Sequence, residues 1–130
     1  MLYYCKTKTL PIKRHVLEKA LAFAGEFLNI EDDVCVVVKF SKTCNAAGYA
    51  DWNEDEDEYE IEVNSRIPES EIIRTIFHEL VHIRQMHNET YDPDSRTWNG
   101  EDCSHLEYST YPWEIEAYGL EEEMVRKFKC

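Results

Sequence analysis

Glycine and proline are scarce in this 130-residue chain, four of each, and they stand apart from one another. Their scarcity excludes collagen-like repeats and Gly/Ser-rich or Pro-rich linkers, and leaves a chain organised mostly in regular elements. No apolar run approaches the roughly 20 residues that a bilayer-crossing helix needs, so no membrane partner is expected. The start, Met1-Leu2-Tyr3-Tyr4-Cys5-Lys6, carries no apolar core followed by a small-residue cleavage site. The expected compartment is therefore cytoplasmic. Positive charge is also short: 14 Lys and Arg face 27 Asp and Glu, a net charge of -13. Nucleic-acid phosphates and anionic lipid are repelled by such a surface, which excludes nucleic acid as the main partner and favours basic or neutral ones. No Cys-x-x-Cys pair occurs among the five cysteines, Cys5, Cys35, Cys44, Cys103 and Cys130. An odd, scattered set in a chain without an export signal reads as free thiols, with Cys35 packed as a small apolar residue in a strand.

What is present suits one domain, residues 1–130, with 43% hydrophobic and 32% charged residues. Val16, Leu17, Ala20, Leu21, Ala24, Phe27 and Leu28 recur at spacings of three and four and predict an amphipathic helix from about Ile12 to Asn29. Val34 to Phe40 is β-branched and almost wholly apolar, as an interior strand requires. Ala46 to Trp52 and Tyr59 to Asn64 alternate around the acidic run Asn53 to Glu58, predicting a hairpin with a solvated turn. Gly48 and its neighbouring alanines leave backbone accessible, which suits an edge strand able to pair with an extended peptide. A second helix opens at Pro68 and Ser70 and reaches about Asn88; a third runs from Pro112 to about Lys129. Between them, Glu89 to Thr110 is polar, aromatic and too long for a passive connection. The expected class is α+β, a small antiparallel or mixed sheet packed on helices.

One motif carries the chemistry. His78-Glu79-Leu80-Val81-His82 lies within the second helix, where residues four apart share a face, so both imidazoles can meet one Zn²⁺ while Glu79 sits beside the water position. Two histidines are one ligand short of the three that a catalytic zinc usually has. A metzincin pattern needs glycine at position 85 and histidine at position 88, and the chain has Gln85 and Asn88, which excludes that class. His87, five residues beyond His82, points off the ligand face. Glu114 and Glu116, at the start of the last helix, are the remaining candidates. They are rotated about 200° from each other, so only one can face a given metal. Without the histidines, both would read as solvated carboxylates at a favourable helix end.

The run Trp113-Glu114-Ile115-Glu116-Ala117 following His-Glu-x-x-His resembles gluzincin-type zinc metallopeptidases, in particular short bacterial and phage forms near the SprT-like and ImmA/IrrE-like groups. The resemblance spans about residues 34 to 125 and rests on those two motifs. It implies a zincin-like fold, a zinc cofactor held by His78, His82 and Glu114, and a peptide or protein substrate. It also implies that Ala117 lets the last helix approach the histidine helix closely. If a phage encodes the chain, the cytoplasm is that of its host. The chain departs from larger members in having 31 residues between His82 and Glu114, and Tyr118 where many carry an aspartate that supports a histidine.

The expected reaction is peptide hydrolysis, with Glu79 as general base to a zinc-bound water and a donor from the long loop for the oxyanion. His105, Tyr108 and Tyr111 are the candidate donors, and Tyr111 is selected. Cys103 and His105 alone make too small a set for a second metal site. The competing expectation is an acidic zinc-containing binding or sensor protein, a latent protease fold, acting on a basic partner. Glu79 argues against it, because a purely structural site has no use for a carboxylate at that position.

Overall fold

A computed structural model describes residues 1–129. The chain runs β1 (Leu2–Cys5), α1 (Arg14–Phe27), β2 (Cys35–Ser41), β3 (Gly48–Asn53), β4 (Glu58–Asn64) and α2 (Glu69–His87). Three two-residue strands follow, β5 (Tyr91–Asp92), β6 (Thr97–Trp98) and β7 (Glu101–Asp102), then a 3₁₀ turn (Tyr108–Thr110) and α3 (Pro112–Lys127). The architecture is α+β with a four-stranded mixed sheet in the order β1-β2-β4-β3 and a small antiparallel sheet β5-β6-β7.

The apolar alternation of the strands decides which face is covered. Val36, Val38, Ile61 and Val63 are fully buried and join Leu17, Leu21, Ile72, Ile76, Leu80 and Ala117 in one core shared with the three helices. The opposite face carries Lys39 3.6 Å from Glu60 and 3.8 Å from Glu62, with Lys6 3.8 Å from Glu60. Burial of Ile72, Ile76, Leu80 and Ile83 contributes about 1.5–3 kcal/mol each, which fixes the rotation of α2 about its axis and with it the direction of His78 and His82.

Two features were not anticipated from the sequence. The first is β1, which pairs in parallel with β2, Tyr3 opposite Val36, in a sheet that the parallel β2–β4 and antiparallel β3–β4 pairs already make mixed. The second is the fold of residues 89–110. The Tyr91–Asp94 string is part strand, and Asn99 and Gly100 form a turn with φ of 52° and 81°, as a two-residue hairpin demands. Helix α1 is shorter than expected: Lys13 is its N-cap and Pro11 precedes it. The acidic hairpin turn closes through Asn53, whose Oδ1 accepts the N–H groups of Asp55 (3.1 Å) and Glu56 (3.2 Å).

Strand β3 is at the edge of the large sheet and lies against α2. Gly48 permits that approach: a Cβ there would stand 2.6 Å from the Glu62 carbonyl oxygen and 2.7 Å from Thr75 Cγ2. The described cysteines Cys5, Cys35, Cys44 and Cys103 are all unpaired, while Cys130 lies outside the described residues. Cys35 is half-buried, with its Sγ 3.7 Å from Glu58 Oε2, and burial pushes its thiol up. No helix among the described residues is long and apolar enough to cross a membrane.

Candidate metal centre

Helices α2 and α3 pack antiparallel, Gln85 beside Trp113 at one end and Arg74 beside Glu121 at the other. Ala117, fully buried, sits between them. This pairing brings Glu114 over the two histidines: His78 Nε2 is 3.2 Å from His82 Nε2 and 3.3 Å from Glu114 Oε1. Zinc held at about 2.0–2.1 Å by tetrahedral ligands separates its donor atoms by about 3.3 Å, so these two spacings fit a cation at their centre. The third pair, His82 Nε2 and Glu114 Oε1, is 2.5 Å apart, a close approach that a cation between them would open out. Among the described residues this is the group of three His, Cys, Asp or Glu side chains that can hold a metal ion.

Both rings are oriented from behind. His78 Nδ1 donates to Glu121 Oε1 at 2.9 Å, and His82 Nδ1 donates to Gln85 Oε1 at 2.8 Å. Each bond places the proton on Nδ1 and leaves Nε2 for a metal. Glu121 is held in turn by Arg74 Nη1 at 2.8 Å, and Arg74 also contacts Glu122. Gln85 Nε2 donates to the Trp113 carbonyl at 3.0 Å and to Glu116 Oε1 at 3.1 Å. Glu116 therefore faces Gln85 and Arg84 rather than the cluster.

Electrostatics bind the four groups together. Burial opposes charge on His78, but hydrogen bonds to Glu114 and Glu121 overcome it and raise its pKa to about 9. Burial pushes the Glu114 carboxyl up as well, and bonds from His78, His82 and Tyr108 outweigh that and hold it well below the usual carboxylate range. Glu79 is pushed up to about 7, chiefly by burial; the two histidines and a backbone N–H from Ala50 limit the rise. A carboxylate near neutrality beside a metal cluster is suited to taking up and releasing a proton.

The long segment contributes its own groups. Tyr108 Oη donates to Glu114 Oε2 and lies 3.5 Å from Tyr118 Oη. Burial and the bond to Glu114 keep the Tyr108 phenol protonated far above its ordinary range. Tyr111 stacks on Trp113 at 4.4 Å, as does Tyr91 on the ring's other side, so the Tyr111 ring is engaged in packing. Tyr118 packs its ring 4.6 Å from His78, and the position of the supporting acid is filled by Glu121 instead. His105 is exposed and Cys103, just past β7, is buried, its Sγ 3.6 Å from the Glu101 carbonyl. His87 lies outside the cluster, 3.8 Å from Glu31.

Sequence reasoning missed Glu121 and Gln85. Glu121 is seven residues beyond Glu114, two turns along one helix face, and Gln85 is three beyond His82, so helical spacing held a signal for both. The cluster opens into a cavity of about 250 Å³ lined by Gly48, Ala50, Glu79, Tyr91 and Tyr108. A second, of about 270 Å³, adjoins it on the Ala46, Arg74 and Tyr118 side. Compared with models of protein families, with curated proteins and with solved structures, the chain matches none.

Proposed function

We propose that this protein is a zinc-dependent metallopeptidase of zincin-like build that hydrolyses peptide bonds. The observation that carries the reading is the convergence of His78, His82 and Glu114 with Glu79 beside them. Two imidazoles and one carboxylate suit Zn²⁺ and leave a coordination position open, as a catalytic site needs. When bound, zinc supplies Lewis acidity that makes water a stronger acid and polarises a carbonyl oxygen.

The chain's own residues account for the rest. Glu79 takes the proton of the attacking water as the C–O bond forms, and passes it to the amine nitrogen as the C–N bond breaks. Its buried position keeps bulk water from competing for that proton. Tyr108, whose hydroxyl already reaches the cluster, donates to the oxygen that gains charge. This assignment moves the donor role from Tyr111, engaged with Trp113, to Tyr108. Asn64 N–H bonds the Ala47 carbonyl, so Gly48, Ala50 and Trp52 turn their backbone groups away from β4. That outward edge runs past Glu79 and suits an extended peptide.

Metal content and cleavage of mixed peptides, measured together for the unaltered protein, Glu114→Ala and Glu79→Gln, test the reading. One zinc per chain, lost in Glu114→Ala but kept without cleavage in Glu79→Gln, is the expected result. An unaltered protein that takes up no zinc ends the proposal. Zinc with no cleavage of any peptide transfers the site to the binding or sensor role.

A further inference from the structure

The cavity over the metal cluster does not end at Tyr91. Met86, Tyr91 and Pro93 line both it and a larger hollow of about 710 Å³ between the β3–β4 hairpin and the segment from Glu89 to Gly100. A peptide lying along β3 therefore passes from Glu79 directly into this hollow. Its walls carry five carboxylates, Asp51, Glu54, Glu89, Asp92 and Asp94, and no lysine, arginine or histidine. All five residues are exposed, and none takes part in an ion pair among the described residues. On the solvent face of the large sheet, by contrast, Glu60 and Glu62 share Lys6 and Lys39. No basic side chain lines this hollow, whereas the cavity on the other side of the cluster includes Arg74; Arg96 lies close enough to act on Tyr91 but pairs with none of the five acids.

The hollow's apolar lining narrows the choice of ligand. Trp52 is 42% exposed and leans on Tyr59 at 4.6 Å, and Met86 and Tyr91 continue the surface toward the cluster. Exposed aromatic faces beside unpaired carboxylates suit a cation on an aliphatic stem, the stem against Trp52 and Met86 and the head among the acids. A bare metal ion is a poor occupant, because no three of these carboxylates converge to ligating distance. We propose that the hollow is a subsite for a lysine or arginine side chain, so that the substrates are basic peptides carrying that residue on one side of the scissile bond. The substrate role rests on the hydrolase reading above; the subsite itself is measurable by binding alone.

The test uses short peptides in which each position in turn holds lysine or norleucine, which keeps the stem and removes the charge. Their cleavage is followed with the zinc-loaded protein, and their binding by tryptophan fluorescence with zinc-loaded Glu79→Gln. At one position, lysine is expected to bind about tenfold tighter than norleucine at low salt, the combined contribution of partly exposed ion pairs and a cation–π contact. The preference shrinks as salt is added. Glu54→Gln, Asp92→Asn and Asp94→Asn combined in the Glu79→Gln protein remove it while leaving norleucine affinity unchanged. Equal binding of lysine and norleucine peptides at every position overturns the subsite, even if both are cleaved. A lysine preference in binding without cleavage of any peptide upholds the subsite and removes the hydrolase.

Discussion

Replacing Glu121 with alanine removes the acceptor behind His78, and the effect on metal affinity is expected to depend on pH. The His78 Nδ1 to Glu121 Oε1 bond is 2.9 Å long, and both side chains are at most 10% exposed. A buried bond to a charged group contributes about 2 kcal/mol, equivalent to about 30-fold in affinity. That loss is not seen at every pH, because the same bond also holds a proton. His78 titrates at about 9, so near pH 7 a metal must first displace its proton, which lowers the apparent affinity of the unaltered protein by about 100-fold. Alanine at position 121 weakens the proton and the metal together. Near pH 7 the two losses nearly cancel, and the variant is expected to bind zinc within a few-fold of the unaltered protein. Near pH 10 His78 is unprotonated in both, and the full ratio of about 20- to 30-fold emerges. Competition with a chromophoric chelator in zinc buffers across that range measures it. A ratio that stays flat, or shrinks as pH rises, refutes the assignment of Glu121 as the group that polarises His78.

Two further outcomes concern stability. Without metal, the fold is expected to be most stable in mildly acid solution. The His78 contribution is complete below its ordinary 6.5 and is lost as pH rises through about 9, and Glu79, raised from 4.5 to about 7, adds a loss over that earlier interval. Glu114 and Glu121, both held low, lose their contributions as pH falls below the ordinary carboxylate value of 4.5. Urea midpoints of chelator-treated protein check this profile, and a midpoint that climbs from pH 6 to 9 contradicts it. In the same assay Glu79→Gln is expected to raise the midpoint near neutral pH, since it removes a buried charge. The glycines give opposite results: Gly48→Ala forces a Cβ against the Glu62 carbonyl and Thr75, while Gly119 has no atom within 4 Å of the added carbon. Urea unfolding is expected to show about 2–3 kcal/mol lost in the first and up to about 1 kcal/mol gained in the second.

What the sequence disclosed was what is local to one element. That His78 and His82 face the same way follows from four residues of helix, and the β3–β4 hairpin follows from alternation around an acidic turn. Strand β1 was not legible, because four residues with Leu2 and Tyr4 exposed carry little pattern and their parallel partner lies across α1. Glu114 was separable from Glu116 only through resemblance and helix rotation; its position over the histidines depends on how α3 crosses α2, which Ala117 and Gln85 set. The same crossing brings Glu121 behind His78, a supporting role that Tyr118 left without an acid. Tyr108 and Tyr111 are three residues apart in a segment without regular periodicity, so nothing in their spacing says which one reaches the cluster. The stacking of Tyr91 and Tyr111 on opposite sides of Trp113 decides it.

The placement of the three ligands has a topological result. A cation shared by His82 and Glu114 ties off the 31 residues between them, the stretch that holds the small sheet and the 3₁₀ turn. Treated as a cross-link, such a closure removes about 3–4 kcal/mol of chain entropy from the unfolded state. An ion held there would thus act as a staple for a segment whose two-residue strands have little cohesion of their own. Protease nicking within residues 89–110 would then gauge metal occupancy, and loss of the ion would loosen one wall of the acidic hollow along with the three-ligand cluster.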